Sequence, residues 1–136
     1  MIINFVGDIC LQDININDFS IDDSILKILK SSDFNIANLE GPITNKTKGR
    51  PHQPCYLKSP PSQNYIYELF DIFSLANNHI MDFGQDGLID TFNFLKKANK
   101  KNFGAGLNVK DSLNNAIMEK GSKKATILGF TRWDNA

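Results

Sequence analysis

Net charge is the first thing this sequence lacks: fifteen lysines and arginines cancel fifteen aspartates and glutamates. A balanced chain offers no basic stripe for nucleic acid and no footprint for an anionic membrane. Long apolar runs are missing too. Met1 to Val6 is apolar, but it is too short to target or span, has no basic start, and meets Gly7-Asp8 at once. Two cysteines, Cys10 and Cys55, make no disulfide framework, so both read as packed thiols. With no leader or membrane segment in view, the expected location is cytoplasmic. Histidine is scarce as well, which confines imidazole chemistry to His52 and His79.

What is present suits one globular domain over residues 1–136, with 41% hydrophobic and 22% charged residues. Ile2 to Val6 reads as a continuous apolar strand of the kind buried on both faces, ended by Gly7-Asp8. Asp22-Asp23-Ser24 supplies cap chemistry for a helix carrying Ile25, Leu26, Ile28 and Leu29. Asn35 to Leu39 is a second strand, closed by Glu40-Gly41-Pro42. Asn45 to Pro61 is a long polar loop, and such loops inside a compact domain are functional or mobile. Ser62 to Phe70 predicts another helix, and Asp71 to Ala76 a third strand. Gly84 to Asn99 carries the clearest helical period, with Leu88, Phe92 and Leu95 on one stripe. Lys96, Lys97, Lys100 and Lys101 crowd its end, either as a phosphate-binding patch or, more simply, as solvated cations complementing the helix dipole. Phe103 to Gly106 predicts a short strand or turn, and Asp111 to Asn115 a short helix. Ala116 to Glu119 and Lys124 to Thr131, separated by Gly121-Ser122, predict a β-hairpin. The order is βαβαβαβ and then a hairpin, which implies an α/β fold with a mostly parallel, helix-covered sheet.

Parallel strands carry their ligand sites beyond their carboxyl ends. Asp8, Glu40 and Asn78-His79 follow three successive strands, so the topology brings them to one sheet edge. Carboxylate, amide oxygen and imidazole together suit manganese, iron, zinc or magnesium. Each residue also has a plainer explanation. Asp8 and Glu40 fit ordinary turn chemistry, Asn77-Asn78 fits a cap, and His79 fits a satisfied structural histidine. Asp82 either orients the His79 imidazole by a hydrogen bond or caps the helix beginning near Gly84. His52 sits between Pro51 and Gln53 and reads as a solvated loop residue.

Four segments carry a resemblance: Val6-Gly7-Asp8-Ile9; Asn38 through Thr44; Ser74 through His79 with Asp82 and Gly84; and Gly104-Ala105-Gly106. In order and spacing they resemble the CapA-like capsule, or poly-γ-glutamate, biosynthesis family of the calcineurin-like metallophosphatase superfamily. Gly87-Leu88, Thr91 and Leu95 match the helix that follows. The Leu-Ala-Asn-Asn-His-x-x-Asp-x-Gly stretch is the specific part, whereas Gly-Asp and Gly-Ala-Gly are weak.

The resemblance implies the N-terminal half of a metallophosphatase-like α/β/β/α sandwich, about half the family's domain length, so the chain reads as truncated. It implies Asp8, Glu40 and Asn78 as metal ligands of a dinuclear divalent centre. It implies His79 as the histidine that contacts a phosphoryl oxygen or protonates the leaving group, with Asp82 beside it. The expected function is a metal-dependent hydrolase or phosphoesterase of capsule or poly-γ-glutamate biosynthesis, acting on a small-molecule or polymer substrate. The alternative is a non-catalytic accessory or polymer-binding module that keeps the fold. A dinucleotide-binding domain is disfavoured, because Gly104-Ala105-Gly106 lacks the third glycine of that fingerprint.

Overall fold

A computed structural model describes residues 1–15, 19–51, 55–62 and 64–132. His52 and residues 133–136 lie outside the described residues. The element order is β1 (Ile3–Ile9), α1 (Asp23–Ser31), β2 (Phe34–Leu39), α2 (Asn64–Tyr67), β3 (Ile72–Ser74), α3 (Gly84–Lys97), β4 (Lys101–Phe103), α4 (Val109–Ser112), β5 (Ala116–Lys120) and β6 (Lys123–Ile127). β1 to β4 form a parallel sheet in sequence order, and β5 with β6 forms a separate antiparallel hairpin. The βαβαβαβ-then-hairpin expectation therefore holds, with the brief α4 inserted before the hairpin.

Alternation along β2 and β3 builds two cores. Ala37, Leu39, Phe73 and Leu75 meet Leu29, Tyr67, Leu88 and Leu95 of the helices on one face. Ile36 and Ile72 point the other way and, with Phe103, meet Ala116 and Met118 of the hairpin. Leu39, Leu75 and Leu95 are fully buried, and each such side chain contributes about 1.5–3 kcal/mol. The hairpin turns through Gly121, whose φ of 58° suits a two-residue connection.

Several boundaries differ from expectation. β1 is not buried on both faces and does not end at Gly7-Asp8. It runs to Ile9, with a register shift between Phe5 and Asp8 that absorbs the glycine. At the sheet edge it pairs, among the described residues, only with β2, and Phe5 is 66% exposed. α1 caps as expected, Asp22 Oδ1 accepting from the Ser24 amide at 2.8 Å, yet Ile25 and Ile28 lie on its exposed side. The helix expected over Ser62 to Phe70 is a single turn, Asn64–Tyr67, followed by tight turns from Leu69 to Ile66 and from Phe70 to Tyr67. Ile66, Tyr67 and Phe70 all reach the same core before β3 begins at Ile72. β3 stops at Ser74, and the next residues turn into the site. β4 lies earlier than expected because Gly104, at φ 86°, breaks the strand. α4 is shifted likewise, since Asn108 Oδ1 caps it by accepting from the Asp111 amide at 3.0 Å. Cys10 and Cys55 are free thiols as expected, but Cys55 is exposed rather than packed. Burial pushes the Cys10 thiol above its ordinary pKa, which keeps it protonated and poorly nucleophilic at neutral pH. No helix among the described residues is long and apolar enough to cross a membrane.

Candidate functional site

β1, β2 and β3 are parallel neighbours, so the three strand ends expected to share one edge do so. Asp8 pairs in register with Asn38, and the Asn38 Nδ2 donates to Asp8 Oδ1 at 2.6 Å. Glu40 follows β2 and is tied to the end of β1 by its amide, which donates to the Ile9 carbonyl at 3.0 Å. Gly41 then turns at φ 82°, where a Cβ would stand 2.5 Å from the Leu57 carbonyl oxygen. Only glycine fits there.

The two asparagines after β3 separate in role. Asn77 is buried and acts as a clip. Its Nδ2 donates to the Leu39 carbonyl at 2.8 Å and to Asn38 Oδ1 at 3.3 Å, while its Oδ1 accepts from the His79 amide at 3.1 Å. That clip binds the ends of β2 and β3 together and leaves Asn78 exposed beside His79.

His79 Nδ1 lies 2.8 Å from Asp82 Oδ2. Asp82 is fully buried and also accepts from the Leu57 amide at 2.8 Å. Helix α3 has Phe83 at its N-cap with no side-chain cap bond, so Asp82 serves the imidazole and not the helix end. With Nδ1 donating to this carboxylate, Nε2 is the ring nitrogen left for another partner. The His79 side chain keeps 20% of its surface exposed. Asp82 Oδ1 has no hydrogen-bond partner among the described residues. A sealed carboxylate oxygen of this kind is costly, and such costs concentrate at functional sites.

The long loop between β2 and α2 packs against this pair. Thr44 and Ser59 close its neck, the Thr44 amide donating to the Ser59 carbonyl at 3.1 Å. The Arg50 amide donates to the Asp82 carbonyl at 2.8 Å, the Tyr56 hydroxyl bonds the Arg50 carbonyl, and the Tyr56 ring meets Phe83 edge-on. Ends held together over a self-packed middle make an Ω-loop, here wrapped around the buried carboxylate.

A metal centre needs several donors at one point. Among the described residues, no three His, Cys, Asp or Glu side chains converge to hold an ion. Asp8 is engaged by Asn38, and His79 Nδ1 by Asp82. The expected ligands Asp8, Glu40 and Asn78 thus share an edge without enclosing a cation, and a complete centre needs donors beyond them. Asn38 is the site residue that sequence reasoning passed over. Its place one residue before Leu39-Glu40, on the Ile36 face of β2 and not the Leu39 face, was the available signal.

A probable polyglutamine synthesis accessory protein of Mycobacterium tuberculosis is 33% identical over 101 residues, covering 73% of this chain and 27% of that protein. The capsule biosynthesis protein CapA of Bacillus anthracis is 32% identical over 108 residues, covering 76% of this chain and 26% of its own length. The PGA biosynthesis protein CapA of Bacillus subtilis is 32% identical over 109 residues, covering 76% and 28%. The chain therefore spans about a quarter of the length of these relatives. The model of the bacterial capsule synthesis protein family PGA_cap matches residues 2–136, and the chain belongs to that family.

Proposed function

We propose that this chain forms one wall of a hydrolytic, phosphoesterase-like site in a protein of capsule or poly-γ-glutamate biosynthesis, with His79 as its proton-transfer group. The observation that carries the reading is the 2.8 Å contact from His79 Nδ1 to the buried Asp82. The carboxylate holds the ring with Nε2 outward and stabilises the imidazolium. Nε2 then gives a proton to a leaving oxygen or takes one from water. Asp82 does not touch the substrate; it is a positioning residue. Asp8, Glu40 and Asn78 supply oxygen donors at the same edge, in keeping with dependence on a divalent cation that draws further ligands from elsewhere.

The test is hydrolysis of a chromogenic phosphodiester by the purified protein with and without manganese, alongside His79→Ala. Activity that depends on manganese and is lost in the variant is the expected result. Metal-independent turnover, or full activity of His79→Ala, overturns the reading. A second reading, a non-catalytic accessory module that keeps the fold, is supported by the lack of converging metal ligands among the described residues. Elemental analysis after purification under replete metal separates the two. Stoichiometric metal supports the enzyme, and none supports the accessory module.

A further inference from the structure

The return leg of the Ω-loop bonds to the exits of all three strands that carry the site. The Leu57 amide donates to Asp82 Oδ2 at 2.8 Å, on the same oxygen that meets the His79 ring. The Lys58 amide donates to Gln12 Oε1 at 3.0 Å, three residues past the end of β1. The Ser59 amide donates to the Pro42 carbonyl at 2.9 Å, just past β2, and its carbonyl accepts from the Thr44 amide.

Ser59 makes a further contact that closing the loop does not require. Its Oγ accepts from the Leu11 amide at 2.9 Å, across 48 positions of sequence. The same hydroxyl bonds the Tyr67 phenol, which itself donates to the Pro60 carbonyl at 3.3 Å. Ser59 and Tyr67 are fully buried and Leu11 is nearly so. Losing the hydroxyl would therefore leave a buried amide without an acceptor.

The place of Leu11 in the chain connects that contact to the site. Asp8 lies three residues before it, and the Ile9 carbonyl between them accepts the Glu40 amide at 3.0 Å. Within the sheet, Asp8 is tied sideways to Asn38, and Asn38 to Asn77. The β1 register shifts between Phe5 and Asp8, so ladder pairing there is irregular. A lateral tie alone leaves a strand end free to pivot. The Ser59 bond adds a second tie from outside the four-stranded sheet, and it comes from the leg that also anchors Asp82.

We propose that Ser59 is a positioning residue: its hydroxyl sets the placement of Asp8 and Glu40 relative to the His79–Asp82 pair. The role rests on the reading of these groups as one hydrolytic site, so the test carries one readout that needs no turnover. In Ser59→Ala, the His79 ring resonances of the isotope-labelled protein, assigned with His79→Ala, are expected to shift. Turnover of the chromogenic phosphodiester falls about tenfold or more in kcat, with KM little changed. Ser59→Thr keeps the hydroxyl and restores most of both. Gln12→Ala removes the neighbouring tie at a half-buried position, and it moves the same ring resonances by less. Asn35→Ala, at the opposite end of β2, removes a buried bond to the Leu29 carbonyl and lowers the unfolding midpoint. It leaves the His79 ring and kcat as they were. An unmoved His79 ring in both Ser59→Ala and Gln12→Ala overturns the proposal, as does an equal fall of kcat in Asn35→Ala or no recovery in Ser59→Thr. A parent that hydrolyses nothing sinks the phosphoesterase reading, and the ring resonances then decide the positioning role alone.

Discussion

Asp82 accepts from two chain segments at once, the His79 ring at 2.8 Å and the Leu57 amide at 2.8 Å, while itself fully buried. One carboxylate thus orients the imidazole and anchors the Ω-loop. Asp82→Ala removes the acceptor from both donors, and leaving a buried donor unmet costs about 1–3 kcal/mol. The expected outcome is a lower urea midpoint together with faster amide exchange in residues 45–51 and 55–58. Unchanged exchange there would show that the loop is held by its neck alone.

Gly41 gives a sharper stability test. Its φ of 82° and the 2.5 Å approach of the Leu57 carbonyl combine strain with a backbone clash. Gly41→Ala is expected to cost about 1–3 kcal/mol in thermal or urea unfolding. Gly7, with nothing within 4 Å of a built Cβ, is the control, and Gly7→Ala is expected to be near neutral.

Asn77→Ala severs the clip between Leu39 and His79. The expected loss is about 1–3 kcal/mol, and hydrolytic activity falls with it because the His79 amide loses its acceptor. Asn78→Ala, at an exposed position, leaves the unfolding midpoint unchanged. Equal destabilisation by both substitutions would refute the division of roles.

Acid should loosen the join between sheet and hairpin. The Ile2 amide and Lys120 hold the Asp33 carboxyl below its ordinary pKa. A depressed folded value means the stabilisation is complete above the unfolded value of about 3.9 and is lost as pH falls through the folded one. Urea midpoints should therefore drop more steeply below about pH 4 in the parent than in Asp33→Asn. Parallel pH profiles would argue against the contribution.

Alkali acts through Tyr67. Burial raises its hydroxyl pKa well above the ordinary tyrosine range, so unfolding exposes a phenol that ionises more readily. A raised folded value is a stability contribution present below the unfolded pKa of about 10 and lost as pH climbs past it. Tyr67→Phe is expected to retain more of its stability above about pH 10 than the parent does, read by denaturant midpoint.

Much of the protein was legible in the residues alone. Short-range periodicity encoded the element order, the α3 stripe through Leu88 and Leu95, and the hairpin about Gly121. The Asp8, Glu40 and Asn-Asn-His segments stood at strand ends, and parallel topology was enough to bring them to one edge. Tertiary structure decided what each polar group does there. Asn77 and Asn78 are adjacent and identical in type, yet only the return of β2, almost forty positions earlier in the chain, buries one as a clip and exposes the other. Asp82 had two equally good local uses, and the Leu57 amide, twenty-five positions away, accompanies the choice of the imidazole. β1 has the composition of a central strand, but its place at the sheet edge leaves Phe5 in solvent. Local propensity is set by neighbours along the chain, whereas hydrogen-bond partners and exposure are set by neighbours in space, and those exist only once the chain has folded.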